Sequence, residues 1–386
     1  MKKKILLFIP AFALAAACGS VNEFAASTPD VRGQSIELAG TSAEGATFLQ
    51  ESSGVTSQDL SNPPEYLAKT RAAIKGLNDL VKKFVGPVAD AVATGTGKDV
   101  PGAADVKVFG PKDENGITWK LTVRRVSGRR FGWVLEGKPL GQFDSAYKMV
   151  ARGALQRTGN AEHRGAGRTS IDLDAYASID PQSHAQGKLF NAFKHFGDDG
   201  EAKVVVYALK GFTADSTLAQ PADAVVYGHK TPSGEAVVRV AAFSESLAPS
   251  TAGAADAGPE LMLARLRSIP GLGGRADVYY PSSTGVLGTS ANGDVPSGKY
   301  IAAKSCWDKT EQEGFKAVAV CNAGQPVTAA NCEIAIEGVE SSACKPGIDR
   351  EERMSDADDH DMSVESDAPG KLDDAPAASM SETENE

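Results

Sequence analysis

The chain has no C-x-x-C pair, no H-E-x-x-H and no G-x-S-x-G, and between Cys18 and Cys306 it carries no cysteine at all. Those gaps remove the familiar signatures of compact zinc sites, metalloproteases and serine hydrolases. His163, His184, His195 and His229 are scattered without paired spacing. Gly95-Thr96-Gly97-Lys98 lacks the earlier glycine of a phosphate-binding loop and has Asp99 where Ser or Thr belongs. Asp356-Ala357-Asp358-Asp359-His360-Asp361 resembles a calcium loop, but its sixth position is Asp361 where that loop needs Gly. Aromatic residues are scarce, at 6%, which with abundant Gly and Ala fits a soluble domain with many turns. No apolar run approaches the roughly 20 residues of a membrane-spanning helix. No cofactor, metal or nucleic-acid partner is expected.

The N-terminus does carry a signal. Lys2, Lys3 and Lys4 precede an apolar stretch from Ile5 to Ala17, and Cys18 follows. A basic start, a short apolar core and a small-residue cleavage site make a processed export signal over residues 1–17. Ala15-Ala16-Ala17-Cys18-Gly19 resembles the lipobox of bacterial lipoproteins, with the usual leucine one place early as Leu14. The resemblance covers the first twenty residues. It implies cleavage before Cys18, diacylation of its thiol (palmitate-type chains), and a cell-envelope protein whose only membrane anchor is that lipid. Gly19, not Asp, after the cysteine implies the outer membrane. Each buried methylene contributes about 0.8 kcal/mol, so two or three chains hold permanently. The folded part then needs no membrane-binding surface of its own.

Charge and cysteine are unevenly placed. The whole chain carries −10. Residues 349–386 hold 14 acidic and three basic side chains, a net of −11. Three lysines belong to the export signal, so residues 18–348 carry only −2. The acidic tail, poor in apolar residues, cannot offset its ordering entropy and is expected to be disordered. With Cys18 lipidated, Cys306, Cys321, Cys332 and Cys344 remain, an even and clustered set that reads as two disulfides in an oxidising compartment. Three pairings are open, and a hairpin centred near Pro326 would set Cys321 opposite Cys332. A four-cysteine zinc site is the rival, weakened by the missing C-x-x-C.

Between signal and tail, the pattern is mainly β. Residues 18–61, the lipidated cysteine followed by Ser, Ala, Gly and Thr without periodicity, predict a flexible tether of about 35–40 Å mean reach. Residues 62–96 predict an amphipathic helix, capped at Asn62-Pro63-Pro64. Its apolar stripe is Leu67, Ile74, Leu77, Val81 and Phe84, and it ends near Gly86-Pro87. Strand-length segments then follow at 117–126, 131–137, 146–157, 168–179, 202–212, 223–230 and 235–245, most of them alternating apolar with polar residues. They predict an antiparallel meander over 97–248. A short helix is expected around Lys188–Phe196, a loop at 249–258 and a helical patch at Pro259–Ser268. Strands at 275–280, 299–306, 315–322 and 332–337 complete a four-cysteine module over 249–348. The fold class is thus mainly β with some α: a curved sheet or open barrel with the helix on its concave face. An integral outer-membrane barrel is the rival, and the low aromatic content and the lipobox weigh against it.

Two constellations remain. Arg124, Arg125, Arg129 and Arg130 flank the turn at Ser127-Gly128, and Arg157, His163, Arg164 and Arg168 surround a loop two connections later. Alternate turns of a meander emerge at one end, so both groups would form one electropositive rim suited to anionic head groups or phosphates. The plain alternative is a solvated surface, partnered by the protein's own acidic tail. Asp172 and Asp174 alternate with Ile171 and Leu173, which would place two carboxylates about 7 Å apart on one strand face, a glycosidase-like separation but also the pattern of any half-exposed strand. The β-rich body, with Ser305-Cys306-Trp307-Asp308, loosely resembles uncharacterised lipoproteins of myxobacteria and their relatives over about 100–340, a likeness that implies no activity. The reading is a lipid-anchored, non-catalytic domain holding a lipidic or anionic ligand or envelope partner. The alternative is a structural or protein-interaction lipoprotein with a filled interior, and a hydrolase is a distant third.

Overall fold

The computed structural model describes residues 34–38, 65–94, 97–127, 130–157, 165–196, 202–213, 222–244, 260–282, 295–340 and 344. The expected export signal, Cys18, most of the tether, the Asn62-Pro63-Pro64 cap and the acidic tail lie outside these residues. One sheet of fifteen strands runs in sequence order, every neighbouring pair antiparallel. The strands are β1 Lys98–Val100, β2 Ala103–Glu114, β3 Ile117–Ser127, β4 Arg130–Pro139, β5 Lys148–Arg157, β6 Gly165–Asp172, β7 Gln186–Phe196 and β8 Ala202–Thr213. They continue as β9 Ala222–Lys230, β10 Ala236–Ser244, β11 Glu260–Ile269, β12 Gly273–Tyr280, β13 Lys299–Trp307, β14 Glu313–Asn322 and β15 Cys332–Gly338. The first and last strands do not pair with each other, so the sheet is open.

One long helix, α1 (Glu65–Thr94), packs on one face. The expected stripe is buried, and Val85, Val88 and Val92 extend it. The helix runs on through Gly86-Pro87, where the sequence reading ends it. Proline removes one backbone hydrogen bond, but Pro87 lies on the exposed side, where water can take the freed carbonyl. A single apolar core joins α1 to inward residues of every strand from β2 to β13. At about 4.8 Å per strand those twelve strands would be nearly 60 Å wide if flat, far more than one helix covers. The sheet therefore curls around α1, giving a concave inner face and a convex outer one. The connections β3–β4, β5–β6, β7–β8, β9–β10, β11–β12 and β13–β14 form its upper rim, and the others its lower rim.

Curling brings the helix close, and glycines make room. Three inward glycines sit directly opposite an aromatic residue on the next strand: Gly153 by Trp133, Gly167 by Phe193 and Gly274 by Trp307. A Cβ at each would lie 2.3–2.6 Å from the ring, so the aromatic side chain lies flat across space that any other residue would fill.

Several expectations change. The boundary at 249 is not a division, because β10 pairs with β11 across it over nine residue pairs. The helices expected at Lys188–Phe196 and Pro259–Ser268 are strands β7 and β11. In both, apolar side chains occupy outer as well as inner positions (Phe190 beside Leu189, Leu263 beside Ala264), which erases the alternation that marks a half-exposed strand. The strand expected at 168–179 stops at Asp172, and Leu173–Ala177 forms a short helix, α2. Strand β2 escapes sequence reading because Gly110-Pro111 interrupts it at a register shift near the sheet edge. Residues 34–38, expected within a featureless tether, lie inside the fold, with Gln34, Ile36 and Leu38 buried.

Both disulfides are present. Cys321 faces Cys332 across β14–β15, and Cys306 joins Cys344. Each centres a small apolar cluster on the outer face.

The glycine–aromatic pairs yield a test. Gly153→Ala should destabilise the fold by about 1–3 kcal/mol, the usual range for overpacking, whereas Gly314→Ala, with open space and no left-handed backbone, should change stability little. Urea unfolding followed by circular dichroism reads the difference. An unchanged midpoint for Gly153→Ala would show that Trp133 yields freely.

Candidate functional site

Two polar arrangements stand out, one on each face. On the inner face, α1 is fixed at three points. Near its first turns, Arg71 makes a two-pronged ion pair with Glu311 in the β13–β14 turn, at 2.6 and 2.5 Å. Glu311 has a left-handed backbone, φ 64°, and Arg71 holds its carboxyl below the usual range. Further along, Phe84 meets Tyr176 of α2 edge-on at 5.0 Å, and Lys83 sits 4.3 Å over the Tyr176 ring. Tyr176 in turn stacks on Trp119 of β3.

The third point is a polar node around the 34–38 segment. Asn78 of α1 reads both backbone groups of Ile36: its Oδ1 accepts from Ile36 N at 3.0 Å, and its Nδ2 donates to Ile36 O at 2.9 Å. The Tyr207 hydroxyl of β8 lies 2.6 Å from Gln34 O and 2.7 Å from Asn78 Oδ1. Burial pushes its ionisation far up, so it stays a neutral donor, with one proton for the two acceptors. Asn191 Nδ2 also donates to Gln34 O, at 3.2 Å, and Thr169 Oγ1 donates to Gln34 Oε1, at 2.9 Å. Glu37 bridges Lys203 (2.7 Å) and Lys230 (2.6 Å). Burial raises the Glu37 pKa, but the two ammonium groups outweigh it and the net shift is downward. Beside this segment is a shallow cleft with room for little more than a water molecule, lined by Ile36, Glu37, Lys203, Gly228 and His229 among others. The helix stripe itself packs directly on the sheet. Among the described residues, side chains and the strap of residues 34–38 pack between sheet and helix.

On the outer face, pairing register divides the arginines predicted to form one rim. The β3–β4 and β5–β6 connections do share the upper rim. Arg124, Arg130 and Arg168 point outward, since each alternates with or pairs beside buried inward residues such as Val123, Phe131 and Thr169. Arg125 pairs with inward Phe131 and belongs to the inner register. Arg157 ends β5. Arg129, His163 and Arg164 lie outside the described residues.

The structure adds Arg152 to the group. It pairs with Ser170 on β6, diagonal to Arg168, whose own partner on β5 is Ala154. Burial lowers the Arg168 pKa, and the neighbouring charges of Arg130 and Arg152 lower it further. Lys194 of β7 continues the group beside Ala166. Along the upper half of β3–β7, the outward positions 122, 124, 126, 130, 132, 134, 152, 154, 156, 166, 168, 170, 190, 192 and 194 include five cations and no acid. Gly132, Ala154, Ala166 and Ala192 keep the floor between them low. On β3–β7, outward acids sit nearer the lower rim and are matched, Glu136 with Lys120 and Asp172 with Lys188. Arg152 escapes sequence reading because it lies mid-strand. Only the register shows that it shares a face with residues on β3 and β6.

The outer face is also apolar. Phe190, Ala208, Val225, Ala241, Leu263, Tyr279, Ala302, Ala319 and Ile334 are successive partners across β7–β15 and form one lateral row. Below it towards the upper rim, Arg168 continues through Ala192, Val206 and Tyr227 to Arg239, Arg265, Asp277 and Lys304. Arg239 lies 5.8 Å over the Tyr227 ring. Arg275, also outward, is buried beneath the chain at Cys344, donating to its carbonyl at 3.1 Å and to Asp277 at 2.7 Å.

The paired carboxylates do not form. Asp172 caps α2, its Oδ1 accepting from Ala175 N, while Asp174 lies within α2 and accepts from Gly187 N. Both shape the β6–β7 connection. Among the described residues, no group of three or more His, Cys, Asp or Glu could hold a metal ion.

The sign of the Glu37 shift fixes a pH dependence. Its folded pKa is depressed, so the stabilisation is complete above the ordinary value of 4.5 and is lost as pH falls through the lower folded value. Hydrogen-exchange protection at residues 34–38, relative to the intrinsic rate at each pH, should fall between about pH 5 and pH 3. In Glu37→Gln that dependence should disappear. Equal pH profiles for the two proteins would show that Glu37 does not hold the strap.

Comparison with protein-family models, with curated proteins and with solved structures finds no match.

Proposed function

We propose that this chain is a lipid-anchored envelope lipoprotein, held to the outer membrane through Cys18, whose β domain is a non-catalytic binding module for anionic lipid-like groups on its convex face. The observation that carries the reading is the cluster of Arg124, Arg130, Arg152, Arg168 and Lys194 on one face, bordered by the apolar row from Phe190. An anionic head group beside hydrocarbon presents the same two chemistries in the same order. Arginine suits the role because its planar fork pairs with phosphate oxygens. The interior supports an outer rather than an inner site, since α1 and the strap fill it. The interior also differs from that of an integral barrel, which is polar. The second reading, a structural or protein-interaction lipoprotein, is favoured by that filled core.

The test uses the Cys18→Ala protein, exported by an ordinary signal, with vesicles of phosphatidylcholine alone or mixed equally with phosphatidylglycerol. Co-sedimentation should occur only with the anionic vesicles and should weaken with salt. Each basic residue near an anionic surface contributes about 1 kcal/mol, so reversing Arg124, Arg152 and Arg168 to Glu should weaken binding by about a hundredfold. Indifference to lipid charge would remove this reading and leave the structural one.

A further inference from the structure

The strap of residues 34–38 is gripped as a ligand is gripped. Most of its contacts are made by side chains of the surrounding elements to its backbone, whereas a strand or helix would satisfy that backbone through its own kind. Asn78 takes both the N–H and the C=O of Ile36, and Tyr207 and Asn191 converge on the C=O of Gln34. Specificity is layered on top. The Ile36 side chain lies over Gly228, where a Cβ would come within 2.8 Å of it. Glu37 answers two lysines, one of which, Lys203, is itself buried. Gln34 is wholly buried and its Oε1 is recognised by Thr169, yet its Nε2 has no hydrogen-bond partner. The Asn191 Oδ1 is likewise buried without a partner. Residues wholly committed to a core seldom leave a donor and an acceptor unmet together. The strap and its groove are therefore imperfectly matched at this end.

We propose that the groove between α1 and strands β6–β9 is a recognition site for an extended peptide, and that residues 34–38 are its resident, exchangeable occupant. The ligand class is a short extended segment with a carboxamide at its first position, a branched aliphatic residue at its third, a carboxylate at its fourth and an apolar residue at its fifth. In cis the occupant is this chain's Gln34-Ser35-Ile36-Glu37-Leu38. In trans it is the same segment of a second copy of this chain.

A protease site inserted between residues 44 and 45 allows the folded protein to be cut after assembly. The fragment ending at residue 44 should stay with the body on gel filtration. A fluorescein-labelled peptide spanning 30–42 should then replace it with one-to-one stoichiometry, read by anisotropy. Peptides carrying Ile36→Gly or Glu37→Lys leave the protein untouched and should bind at least tenfold more weakly. Asn78→Ala, which removes two hydrogen bonds, should do the same from the protein side. Three results would overturn the proposal. These are loss of circular dichroism on cutting, departure of the fragment from a folded body that refuses the peptide, and retention of the fragment without exchange, which would make the strap a permanent part of the core.

Discussion

A sheet of fifteen strands has one face to bury and a single long helix to bury it with. That constraint sets the rest of the molecule. The helix is about 45 Å long at 1.5 Å per residue, and its apolar stripe, from Leu67 to Val92, touches a core that reaches twelve strands only because the sheet curls about it. Each fully buried aliphatic or aromatic side chain on that stripe contributes about 1.5–3 kcal/mol. Curling crowds the inner face, so Gly153, Gly167 and Gly274 yield their side-chain space to Trp133, Phe193 and Trp307. Where the helix still leaves a gap, the strap enters and is tied to Asn78. The three attachments of the helix, at Glu311, at the strap and at Tyr176, are spaced along its length and lead to different parts of the sheet.

The two faces divide the work. The inner face holds the polar groups that cannot reach water, and most are matched to the helix, the strap or each other. The outer face carries an apolar row beside a largely cationic one, and the two disulfides tie β14 to β15 and β13 to the chain at Cys344. Cys306 and Cys344 also bring the chain across Arg275 and bury it. One arginine of the outer face is thereby withdrawn from solvent, while those on β3–β6 remain within reach of it.

Much of this architecture was legible in the chain. The helix stripe, most of the strands and the meander follow from spacing alone, whereas spacing leaves three disulfide pairings open, with a hairpin near Pro326 pointing to Cys321 opposite Cys332. What failed did so for identifiable reasons. Period-two alternation presumes a wet outer face, and β7 and β11 lack one, so Phe190 and Leu263 made them resemble helices. Proline marks a helix end only when its lost hydrogen bond has no other partner, and Pro87 faces water. The strap is five residues whose backbone is satisfied by Asn78, Tyr207 and Asn191, which come from elements far away in the chain. No local pattern announces such a contact. The arginines were visible as clusters flanking turns, but a turn does not say which way its flanking side chains face. Register separated Arg125 from Arg124 and brought in Arg152.

The glycine–aromatic pairs also decide where the protein's intrinsic light comes from. The chain has three tryptophans. Trp133 and Trp307 lie flat over glycines inside the curl, and Trp119 packs against the same core beside Tyr176. None lies on the convex face. Tryptophan emission from this protein is therefore a report on the interior alone, sensitive to the seating of helix and strap and blind to whatever settles on the outside.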